Sequence, residues 1–88
     1  MKKICICDDD QDIVDVFAHY LKESNYQVYK CYDGQAVIDL FKVETIDLLI
    51  IDIMMPKLDG ISTVIQLRQN HVVPIIFYPQ NQRKPIRF

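Results

Sequence analysis

The chain has 88 residues, half of them apolar and a quarter charged, and a formal net charge of −2. Such a composition fits one small globular domain and excludes a disordered chain, a large multidomain enzyme or a receptor. No apolar run approaches the ~18 residues of a membrane helix. Three aspartates follow the short apolar stretch of MKKICICDDD, where a secretory signal would need a longer apolar region and a small-residue cleavage site. The expectation is a cytoplasmic protein with no membrane partner.

Short apolar runs alternate with helical periodicity along the chain. Residues 3–7 (KICIC) read as a strand. From Asp12 the apolar positions Ile13, Val16, Phe17, Tyr20 and Leu21 recur at helical spacing, and Ser24-Asn25 ends that helix. Residues 26–31 (YQVYKC) alternate and are rich in β-formers, which predicts a second strand. Asp33-Gly34 signals a turn and a helix start, and Ala36, Val37, Leu40 and Phe41 mark the face of the second helix. The run DLLIID over 47–52 suits a strand buried on both sides. MMPKLDG over 54–60 is a loop punctuated by Pro56 and Gly60. Ile61, Val64, Ile65 and Leu67 outline a third helix ending near Asn70, and residues 72–78 (VVPIIFY) a fourth strand. This order predicts an α/β fold, a parallel sheet with helices on both faces. Residues 79–88 (PQNQRKPIRF) break the pattern and read as an irregular tail, leaving residues 1–78 as the folded portion.

All 12 acids lie at or before Asp59, whereas residues 60–88 carry four bases and no acid. Arg83, Lys84 and Arg87 are too few and too dispersed to argue nucleic-acid binding. The three cysteines, Cys5, Cys7 and Cys31, are an odd number without a secretory signal, which argues against a disulfide framework. Cys5 and Cys7 share one face of the first strand and are expected to pack as small hydrophobes.

The chemistry concentrates in acids at strand ends. Asp8, Asp9 and Asp10 follow the first strand, and Asp52 ends the third. In a doubly wound sheet, ligands bind beyond the carboxyl ends of the strands where chain order reverses. If strands one and three are neighbours, these carboxylates meet there, and a divalent cation relieves their repulsion. Oxygen-only ligands and a small site suit Mg2+. A carboxylate beside a cation can attack a phosphoryl group. Asp52, alone at its strand end, is the candidate acceptor, with Asp8 and Asp9 serving the metal and Asp10 or Asp12 capping the helix.

ICICDDD followed by DLLIIDIMMPKLDG resembles the receiver domain of bacterial two-component response regulators, in particular those whose receivers precede a winged-helix DNA-binding domain. The resemblance covers residues 2 to about 78. It implies a flavodoxin-like doubly wound parallel sheet of order 2-1-3-4. It implies phosphorylation of Asp52 by the phosphohistidine of a sensor histidine kinase, with Mg2+ held by Asp8, Asp9, Asp52 and the backbone carbonyl of Met54. It assigns Asp9 direct coordination and Asp8 a largely water-mediated role. Pro56 and Gly60 match the family's loop after the acceptor.

The match then departs from the family pattern. The Thr or Ser that ends strand four in receivers aligns with Pro79, which offers neither a hydroxyl nor an N–H. No lysine matches the one at the end of strand five, Lys84 coming too early. The chain thus reads as a receiver truncated after strand four, with impaired output, no DNA-binding domain, and an apolar edge strand inviting self-association. A non-switching interaction module is the alternative reading. A haloacid-dehalogenase-like phosphatase is weaker: Asp8 and Asp10 fit its D-x-D pattern, but Asp12 stands where Thr or Val is usual. A calcium loop fails because Ile13 and His19 occupy positions that need Gly and Glu.

Overall fold

A computed structural model describes residues 1–55 and 58–78. The elements follow the expected alternation: β1 (Lys3–Cys7), α1 (Gln11–Glu23), β2 (Gln27–Cys31), α2 (Gly34–Val43), β3 (Leu48–Asp52), α3 (Gly60–Leu67) and β4 (Ile75–Tyr78). The four strands form one parallel sheet of order β2-β1-β3-β4. Chain order reverses between β1 and β3, so the strand ends bearing Asp8 and Asp52 are neighbours at the switch point.

Aspartates start all three helices. Asp10, Asp33 and Asp59 are extended at the N-cap positions, and each accepts from backbone N–H groups of the first turn that have no partner within the helix. Asp10 is thus a helix cap, one of the roles foreseen for it. Helix α1 stops at Ser24, and Asn25 takes a left-handed conformation (φ 68°) that asparagine tolerates better than most residues.

The strands are buried according to their place in the sheet. Central β3 is buried from Leu49 to Asp52, whereas edge strand β2 buries only Cys31. On one face, α2 and α3 close over Cys5, Cys7, Cys31, Leu49 and Ile51, contributing Val37, Phe41 and Leu67. All three cysteines are buried free thiols in this layer, as the strand positions of Cys5 and Cys7 predicted for those two. On the other face, α1 sets Val14 over Ile4, Ile6 and Ile50, with Phe17, Leu21 and Tyr78 packed around them.

Two details differ from the sequence reading. The side of α1 turned to the sheet is the one carrying Val14 and Ala18, while Val16 and Tyr20 are exposed. Helical periodicity marks an apolar arc but not which edge of it meets the sheet, and the arc of α1 is wider than its contact. Strand β4 begins at Ile75 rather than Val72. Pro74 has no N–H for the ladder, and its carbonyl accepts from Leu49 as the last bond before β4. Residues 79–88, read as a tail, lie outside the described residues.

Candidate functional site

The site forms where β1 and β3 end. Asp8 follows β1 and Asp52 is the last residue of β3; both are fully buried, and Asp9 is half-buried. One carboxylate oxygen from each of Asp8, Asp9 and Asp52 lies within 4.8 Å of the others. Backbone bonds fix this geometry. The Asp8 N–H donates to the Cys31 carbonyl at the end of β2 (3.2 Å), and the Gly60 N–H donates to the Ile53 carbonyl (3.0 Å).

The acidic side chains are themselves oriented. Asp8 Oδ1 accepts from the Asp10 N–H (2.9 Å), and Asp8 Oδ2 accepts from the Tyr78 hydroxyl (2.5 Å). Asp52 Oδ1 accepts from the Met54 N–H (3.1 Å). Burial pushes the Tyr78 phenol well above its ordinary range, and the hydrogen bond to Asp8 and the nearby negative charge act in the same direction. Burial also raises the Cys7 thiol, so it stays protonated beside the acids. Cys5 is raised as well, by its hydrogen bond with Cys31 and by burial.

Gly60 owes its place to a close approach. A Cβ there would sit 2.2 Å from the Asp52 carbonyl oxygen and 3.0 Å from backbone atoms on either side of it. The start of α3 therefore presses directly on the end of β3, which only a residue without a side chain permits.

The donor set fits a hard divalent cation. All three ligands are carboxylate oxygens, two of them on fully buried residues.

The chain matches the response regulator receiver domain family over residues 4–87. The chain belongs to that family. It is similar to the transcriptional regulatory protein CpxR of Escherichia coli, at 40% identity over 76 residues covering 86% of this chain and 32% of CpxR. It is also similar to the regulatory protein VanRc of Enterococcus gallinarum, at 33% identity over 75 residues, 85% of this chain and 32% of the relative. The chain thus spans about a third of the length of these relatives. Among solved structures, the Francisella response regulator 1452 receiver domain superposes with a TM-score of 0.86 at 30% identity, covering 96% of this chain and 70% of that one. TrrA of Thermotoga maritima, solved in complex with Mg2+–BeF, gives 0.86 at 26% identity, covering 93% and 72%. The receiver fold and the strand order 2-1-3-4 expected from the resemblance are those observed.

Of the residues singled out in the sequence, Asp8, Asp9 and Asp52 come together in this receiver. Met54 lies beside them, its N–H on Asp52 and its side chain largely exposed. Gly60 supports the end of β3. Pro56 and Pro79 lie outside the described residues. Tyr78 was not foreseen. An amphipathic residue closing an otherwise apolar strand is the signal that could have found it.

Proposed function

We propose that residues 1–78 are the part of this receiver that accepts a phosphoryl group on Asp52, drawn from the phosphohistidine of a sensor histidine kinase with Mg2+ bound by Asp8, Asp9, Asp52 and the Met54 carbonyl. The convergence of three carboxylates at the switch point carries this reading. The Met54 N–H takes Asp52 Oδ1 and so sets the orientation in which the carboxylate meets a donor. A carboxylate oxygen attacks phosphorus, the phosphorus–nitrogen bond of the phosphohistidine breaks, and its electron pair returns to the imidazole. A bound Mg2+ would supply positive charge against the transferring phosphoryl oxygens. Asp8 and Asp9 would hold that charge in place. The reaction is a single acceptance without turnover.

Incubating the chain with acetyl phosphate and MgCl2 and measuring intact mass tests this. One added phosphoryl group is expected, absent without Mg2+ and absent in Asp52→Asn. Addition that persists in Asp52→Asn would overturn the assignment of Asp52.

Pro79 in place of the usual hydroxyl favours a second reading, in which the chain binds a kinase without switching. The two differ in whether phosphorylation alters kinase binding in a pull-down. Strand β4 pairs only with β3 among the described residues and exposes Ile76 and Phe77. That edge is suited to self-association by strand pairing, read as a concentration-dependent mass by light scattering.

No helix among the described residues is long and apolar enough to cross a membrane.

A further inference from the structure

Tyr78 stands apart from the rest of the edge strand. Its side chain lies on the α1 face of the sheet, where its ring is 5.6 Å from that of Phe17. Its register partner in β3 is Asp52, and its carbonyl accepts from the Ile53 N–H (3.2 Å), so the backbone of β4 ends against the residue that follows the acceptor. The hydroxyl crosses the end of the sheet to Asp8 Oδ2, linking residues 70 apart in the chain. Asp8 is fully buried, and its other oxygen holds the Asp10 N–H. The phenol therefore places a donor on a buried carboxylate, and hydrogen bonds to carboxylates are among the stronger ones.

A cation at the cluster would relieve the same charge. Two electropositive groups then draw on one carboxylate, and each weakens the hold of the other. We propose that Tyr78 is a positioning residue that acts as an internal competitor of the cation, its hydroxyl bonded to Asp8 when the site lacks a cation and loosening when one enters. Cation occupancy is thereby coupled to the end of β4. This rests on the cation reading of the acidic cluster given above. It adds a route by which that cluster influences the sheet edge.

The test uses the whole 88-residue chain with tyrosine labelled at the ring carbon bearing oxygen, titrated with MgCl2 at constant ionic strength. The amides of Asp9 and Met54 report the cation. The Tyr78 ring resonance, assigned by its loss in Tyr78→Phe, reports the hydroxyl. In the wild-type chain the Tyr78 resonance is expected to shift with the same midpoint as the amides. Tyr78→Phe keeps the ring against Phe17 and removes only the donor, so it is expected to lower the dissociation constant for Mg2+ about three- to tenfold. A purely structural tyrosine would lower stability and leave that constant unchanged. Amides that shift while Tyr78 stays still, or an unchanged or weaker affinity in Tyr78→Phe, would overturn the competition and leave the cation reading standing. Amides silent in both proteins would overturn the cation reading itself, and the competition with it.

Discussion

Among the described residues, a layer of 11 buried hydrophobic residues lies between the sheet and α2 and α3, strands, helices and loops all contributing, while only Ile4, Ile6, Val14 and Ile50 form the corresponding layer between the sheet and α1. The first face is covered by two helices, with Phe77 at its β4 edge exposed. The second leaves Ile76 of β4 open to solvent, as well as Val16 and Tyr20 of α1, which lie on a groove of about 270 Å3 lined by Asp12, Ile13, Val16, Phe17 and Tyr20. The carboxylates and Tyr78 sit at the end of the sheet, and Tyr78 belongs to the thin layer. The closed layer thus supplies most of the burial that fixes the strands, and the open layer carries the tyrosine that meets the site. Burial of apolar area is the main favourable contribution to folding, so the two faces should answer very differently to equivalent changes.

The largest effect is expected where the closed layer meets the acceptor. In Gly60→Ala the new Cβ collides with backbone rather than with a flexible side chain, so β3 and α3 must separate. The cost should reach or exceed the upper end of overpacking, about 3 kcal/mol. Urea unfolding measures it, and the Mg2+ response should weaken in parallel because the carbonyl that is struck belongs to Asp52. An alanine variant of wild-type stability would show that this contact is not tight.

Adjacent residues of β3 give the most direct comparison of the faces. Ile51 points into the closed layer and Ile50 into the open one. Ile51→Ala is expected to cost about 4 kcal/mol and Ile50→Ala about 2 kcal/mol, within the range for large-to-small core changes. Equal losses in urea melts would mean that the α1 face is as well packed as the other.

Polar replacement on the exposed arc of α1 should be nearly silent. Val16→Ser and Tyr20→Ser remove side chains that are 57% and 66% exposed. Stability should change by no more than about 0.5 kcal/mol. Solubility should rise, as measured by light scattering at increasing concentration.

The difference between the faces also explains what the sequence could and could not tell. Strands and helices were legible because strict apolar runs such as DLLIID and capping aspartates such as Asp33 act locally, whereas the strand order came from the family resemblance. The acidic cluster was legible because a parallel α/β topology brings the ends of β1 and β3 together whatever their side chains. The exposed side of α1 was not, since an apolar arc looks the same whether or not another element covers it. Thr63 illustrates the same limit on the closed face. It is a buried polar residue whose hydroxyl is accommodated by donating to the Asp59 carbonyl (2.8 Å), a partnership set by the helix backbone. Tyr78 escaped because its bond to Asp8 joins residues 70 apart.

The smallest effect lies at the rim of the closed face. The Tyr29 hydroxyl and the Lys3 ammonium both donate to Glu44 Oε1, at 2.8 and 3.1 Å. The Tyr29 bond and then the Lys3 bond and charge hold the Glu44 carboxyl below its ordinary value of 4.5, while Glu44 holds Lys3 above 10.5. Because Glu44 is depressed in the folded state, its contribution is complete above the ordinary value and is lost as pH falls through the lowered one. Because Lys3 is raised, its share is complete below its ordinary value and lost as pH climbs through the raised one. The pair therefore supports the fold across the neutral range and fails first on the acid side. Both side chains are about one-third exposed, at 34% and 33%, so salt should screen the effect. Glu44→Gln should accordingly flatten the acid limb of a pH series of urea midpoints, leave Ile51→Ala as costly as before, and lose its distinction from wild type in high salt. An acid limb that keeps its slope in Glu44→Gln would place the acid sensitivity elsewhere, the carboxylates at the end of the sheet being the next to replace.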